Sequence, residues 1–110
     1  MNLPTEFWVQ ALIRRANLEG ALAVQTRKGD PQAGAVLVRV WNSRAAEERL
    51  FAEALDASGG TRWIEATPER TAEAHLGYIE RAIRRDPDLW IVDIEDVTGR
   101  HFLTEPVETR

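Results

Sequence analysis

Apolar and polar positions along this chain recur with two different periods. Between Thr5 and Leu18 the apolar residues are Phe7, Trp8, Val9, Ala11, Leu12, Ile13, Ala16 and Leu18. Their spacing predicts a helix over 5–18, with Pro4 tolerated at its first turn and Gly20 beyond its end. The apolar positions spread over more than one narrow stripe. Such a helix is buried on two sides, or buries one side against another molecule.

The period then drops to two. Ala21 to Arg27 reads as a strand with Leu22, Val24 and Thr26 on one face. The segment 28–34 (Lys28-Gly29-Asp30-Pro31-Gln32-Ala33-Gly34) is a turn by composition. Ala35 to Trp41 is the next strand, and the two are expected to form a hairpin. Arg49 to Asp56 alternates weakly as a third strand. Ser58-Gly59-Gly60 turns the chain into a fourth, Thr61 to Ala66. Thr67 and Pro68 read as the cap and first position of a second helix reaching about Arg85, with Ala72, Leu76, Ile79 and Ile83 as its core stripe. Pro87 blocks continuation. Leu89 to Glu95 is a fifth strand, and His101-Phe102-Leu103 is read as a short sixth.

This order predicts an α+β fold: one domain over 1–103 and a C-terminal tail over 104–110. It runs helix, four-strand meander, helix, strand, with the helices mainly on one face of a largely antiparallel sheet.

The length of 110 residues suits one core. No apolar run approaches the ~18 residues of a membrane span. Cysteine is absent, which removes thiolate zinc sites and cysteine nucleophiles and agrees with a cytoplasmic location. The net charge of −4 draws the chain toward neither nucleic acid nor anionic lipid. Of the 14 basic residues 13 are arginine, which with the 15 alanines fits a GC-rich genome. Arg81, Arg84, Arg85 and Arg100 lack interleaved aromatics, and a solvated helix end explains them.

The stretch Asp86-Pro87-Asp88-Leu89-Trp90-Ile91-Val92-Asp93-Ile94-Glu95-Asp96 carries the most chemistry. Strand alternation puts Trp90, Val92 and Ile94 on one face, and Ile91, Asp93 and Glu95 on the other. If Glu65 shares that second face, Glu65, Asp93 and Glu95 offer oxygen ligands to a hard cation. The competing reading is a solvated face with cross-strand pairs such as Arg39 to a carboxylate. Arg27, Lys28, Gly29 and Gly34 suggest an anion-binding loop, although no helix follows them and a hairpin connection explains the same residues. His75 and His101 stand far apart, and no serine lies in a Gly-x-Ser-x-Gly setting, so no catalytic residues are assigned. Trp8, Leu12, Trp41 and Trp63 are candidates for an interaction surface, against the alternative that a small domain buries its largest side chains.

Three blocks make the chain recognisable. They are Trp8-Val9-Gln10-Ala11-Leu12-Ile13-Arg14-Arg15, Lys28-Gly29-Asp30 with Ala33-Gly34-Ala35-Val36-Leu37-Val38, and the run through Asp96 with Arg100-His101-Phe102-Leu103. In their order and spacing the chain resembles domain-of-unknown-function family 1491, a family of short alphaproteobacterial proteins. The resemblance implies a bacterial, cytoplasmic, single-domain protein, and it assigns no activity and no catalytic residues.

The expectation is therefore a non-enzymatic interaction or accessory protein without a cofactor, pairing with itself as a homodimer or with another protein. The alternative is a divalent-metal-dependent phosphoesterase using Glu65, Asp93 and Glu95. A weaker third reading is an anion or nucleotide sensor at the Gly29–Gly34 loop.

Overall fold

Strand β5 (Trp90–Asp96) organises the structure, a computed structural model that describes residues 3–109. Trp90, Ile91, Val92 and Ile94 are all buried, so β5 is apolar on both faces. A strand of that kind belongs in the middle of a sheet. Here it lies between β1 (Leu22–Arg27) and β2 (Val36–Asn42), antiparallel to the first and parallel to the second. The expected β1–β2 hairpin is therefore not formed. Only β2, β3 (Glu47–Leu55) and β4 (Thr61–Glu65) make a meander. A two-residue strand β6 (Val107–Glu108) adds parallel to β4, giving the order β1-β5-β2-β3-β4-β6. The class is the expected one: a single α+β domain with a mixed, mostly antiparallel sheet.

The helices do not share a face. Helix α1 (Thr5–Leu18) places Trp8, Val9, Leu12 and Ala16 against Val36, Val38, Val40, Phe51, Trp63, Trp90, Val92 and Ile94. Helix α2 (Ala72–Arg85) places Ile79 and Ala82 against Leu37, Leu50, Ala52 and Ile91 on the reverse side. Both faces of the central strands are apolar, so each needs its own cover, and the expectation of helices mainly on one face is corrected accordingly. Helix α2 also starts later than expected. Thr71 caps it, accepting from the Ala74 N–H at 3.2 Å, while Thr67 donates to the Glu69 carbonyl in the preceding turn.

The C-terminal segment accounts for part of the breadth of apolar positions on α1, while Phe7 and Leu18 stay exposed. Phe102, Leu103 and Val107 pack against the α1 core, and Arg15 donates to the Phe102 carbonyl at 3.0 Å. Residues 104–109 thus belong to the domain rather than to a loose tail, and Val107–Glu108, not His101–Leu103, is the sixth strand. Trp8 and Trp63 stack with centroids 5.3 Å apart, and both indole N–H groups donate to the Glu105 carboxylate at 3.1 and 3.0 Å.

The loop after β1 packs onto the start of β5. A Cβ on Gly29 would meet the Asp88 carbonyl oxygen and come within 2.6 Å of Trp90 Cδ1. On Gly34 it would meet the same carbonyl and come within 2.8 Å of that ring atom. The glycines permit backbone contact with β5. The Trp90 indole N–H and the Asp30 N–H then tie the loop down, at 2.8 Å to the Asp30 carbonyl and 3.0 Å to that of Asp88.

Candidate functional site

The α2 side of the sheet is covered only in part. Helix α2 sits over Leu37, Leu50, Ala52 and Ile91, and leaves the other end of β1, β5 and β2 open. Strand register builds two rows there. Val24, Asp93, Arg39 and Leu50 are successive neighbours across β1, β5, β2 and β3, and so are Leu22, Glu95, Trp41 and Glu48. Three large apolar side chains in these rows remain exposed: Leu22 at 59%, Val24 at 44% and Trp41 at 38%. With Arg39, Glu48, Asp93 and Glu95 they line an open cleft of about 430 Å³.

The charges in this cleft are unequally engaged. Arg39 holds Asp93 in a two-point pair, Nε to Oδ1 at 2.6 Å and Nη2 to Oδ2 at 3.1 Å. The hydrogen bond to Asp93 raises the Arg39 pKa further above its ordinary value. Glu48 meets Nδ1 of the buried His75 at 2.7 Å. Glu95 is exposed. Around the opening there are thus three carboxylates against one guanidinium.

The expected metal ligands do not converge. Glu65 pairs in register with Phe51, on the α1 side, while Asp93 pairs with Arg39 on the α2 side. The sheet itself separates them. Glu65 is buried and accepts from Arg49 at 2.7 Å and from Arg70 at 2.9 and 3.1 Å. Among the described residues no three of His, Cys, Asp and Glu are placed to hold one metal ion. Glu65, Asp93 and Glu95 are therefore not a common site.

The third acid of the run has a structural task. Asp96 is buried on the α1 side and accepts from the Arg100 N–H at 2.8 Å and from the Arg100 guanidinium at 2.8 and 3.1 Å. Those hydrogen bonds hold its carboxyl well below the usual carboxylate range. Arg100 also reaches the Glu19 carbonyl at 3.0 Å, closing the turn after β5 onto the end of α1. His101 meets Phe51 edge-on.

At the loop 28–34, three of the four residues proposed for anion binding have structural contacts. Gly29 and Gly34 are spaced for Trp90, and Arg27 donates to the Pro87 carbonyl at 2.9 Å. The adjacent N–H groups of Thr5 and Glu6, at the start of α1, already donate to the carbonyls of Gln32 and Pro31. Of the four candidates for an interaction surface, Trp8, Leu12 and Trp63 are core at 5%, 0% and 0% exposure. Trp41 alone is presented to solvent. Leu22 and Val24 were legible as one strand face, but not as an uncovered one.

The fold and this cleft define a small α+β domain with one sheet face partly uncovered, and the chain belongs to a known family. Residues 3–104 match the family model described as Protein of unknown function (DUF1491), so the chain is a member of the DUF1491 family. It is 52% identical to a DUF1491 family protein from Caulobacter crescentus CB15, whose crystal structure superposes with a TM-score of 0.93 over 96% of this chain and 99% of that one. An NMR structure of a DUF1491 family protein from the same organism gives 0.91, at 52% identity and 98% coverage of both chains. Protein Atu0922 from A. tumefaciens is 31% identical, with a TM-score of 0.82 and 98% of each chain covered. None of the curated proteins matches the chain. Among the described residues no helix is long and apolar enough to cross a membrane.

Proposed function

We propose that this protein is a non-enzymatic interaction module that docks another protein on the open sheet face at β1, β5 and β2. The observation that carries the reading is that Leu22 and Val24 on β1 and Trp41 on β2 are exposed on one face, around a charge pair that is already self-satisfied. Exposed apolar clusters with a central aromatic are where binding energy concentrates. The partner is taken to present an apolar surface of net positive charge, because carboxylates outnumber the one guanidinium around the cleft. A second copy of this chain fits less well, since a two-fold contact would bring like carboxylates together. Docking is on the face and not on the β1 edge, where Asn17 Oδ1 already accepts the Ala23 N–H at 2.8 Å.

The test is selection of a phage-displayed random peptide library on the immobilised protein, counter-selected on Trp41→Ala. Trp41 is 38% exposed, so the variant is expected to stay folded with a modest loss of melting temperature while losing the selected binders. Failure to enrich peptides that distinguish the two proteins overturns the reading. Sedimentation of the free protein is expected to show a monomer, and a stable dimer broken by Trp41→Ala would make the occupant a second copy.

A further inference from the structure

Trp41 stands between two carboxylates in strict cross-strand register. Glu95 on β5 is its neighbour on one side, and Glu48 on β3 on the other. Directly opposed side chains in a sheet start about 4.5–5.5 Å apart at Cβ. The indole is therefore flanked along one row by acid on both sides, with Leu22 continuing the row past Glu95. The second row offsets part of this charge on the Glu48 side, where the Arg39 guanidinium lies near enough to feel that carboxylate. Arg39 is engaged at two points by Asp93, so its guanidinium is committed within the sheet. Glu48 gives one oxygen to His75 and lines the cleft at the same time. Glu95 is exposed, and no hydrogen bond or ion pair engages it among the described residues.

Resting on the docking reading above, we infer that the Glu95–Trp41–Glu48 row is a seat for one cationic side chain, arginine or lysine, of the docked protein. Its aliphatic stem lies along Leu22 and Trp41, and its charge is held over the indole face between the two carboxylates. A cation over an indole ring is attracted by the ring quadrupole, and arginine can pair with a carboxylate at two points as well. A neutral side chain of similar length makes the stem contact and forfeits both electrostatic contributions. An acidic one is repelled.

The experiment uses three synthetic peptides of one extended apolar sequence, differing only at a central position that carries arginine, citrulline or norleucine. Each is titrated into the full-length protein, with amide and indole N–H shifts followed by NMR. The arginine peptide is expected to move the signals of Leu22, Trp41 and Glu95, and to bind roughly tenfold tighter than the norleucine peptide. Glu95→Gln is expected to remove most of that difference and to leave the affinity of the norleucine peptide unchanged. Equal affinity of the arginine and norleucine peptides at these same residues would overturn the cation seat and leave the docking face standing. If none of the peptides moves the signals of the face, the seat and the docking reading fall together.

Discussion

Replacing Glu53 by glutamine should change how the stability of this protein depends on pH. Glu53 lies on β3, half-buried, and its Oε1 accepts the Val36 N–H at 2.8 Å. Burial pushes its carboxyl from 4.5 up to about 7, against the opposing pull of that hydrogen bond, and the Glu105 carboxylate adds to the rise. A carboxyl raised on folding holds its proton longer in the native state than in the unfolded chain. Between about pH 4.5 and about 7 the native state therefore binds more protons, and stability falls as the pH rises through that window. At about 1.4 kcal/mol per pH unit the ceiling is about 3 kcal/mol. Glu53 is only half-buried, so screening reduces the effect to on the order of 1–2 kcal/mol. Glutamine keeps an oxygen for the Val36 N–H and cannot ionise. Urea unfolding of both proteins at pH 5 and pH 8 should show little difference at the lower pH and a gain for Glu53→Gln at the higher one, on the order of 1–2 kcal/mol and read as a higher urea midpoint. Asp96 and Glu105, whose carboxyls are held low, lose their contribution only as the pH falls below the ordinary carboxylate range. His101, lowered by burial, loses its contribution as the pH falls through its folded value, and it does so in both proteins. The difference curve thus isolates Glu53. Parallel pH profiles for the two proteins would refute the reasoning.

Gly29→Ala should destabilise the fold by about 2–4 kcal/mol, because the new methyl meets the Asp88 carbonyl and Trp90; an unchanged urea midpoint would show that the loop does not press on β5. Glu105→Ala strands two buried indole N–H groups and should cost about 2–4 kcal/mol with a shift of tryptophan emission, whereas Glu105→Gln keeps an acceptor and should be milder. If the alanine variant melts with the parent, the C-terminal segment is not held by the two tryptophans.

Sequence by itself determined most of the local structure, though not the start of α2 or the sixth strand. The apolar spread from Phe7 to Leu18 marked helix α1 over the residues it occupies, because helical period needs only neighbours along the chain. Strand alternation separated Asp93 and Glu95 from Asp96, and the structure places them on opposite sides of the sheet, with Asp96 capping a turn. It also put Arg39 on the strand face where Asp93 was found. What alternation does not carry is which face of a strand is covered, and by what. Leu22 and Val24 read as one strand face without saying whether it is covered, and Trp8 and Trp63 as candidates for a surface or for the core; the structure exposes the first pair and buries the second. The insertion of β5 between β1 and β2 follows from competition among long-range pairings, won by the strand that is apolar on both faces. That insertion, with α1 and α2 on opposite sides, put Glu65 across the sheet from Asp93 and closed the metal reading. Tertiary structure alone decided that the C-terminal segment packs beside α1, and that α2 covers only part of the other side and leaves the sheet open around Trp41.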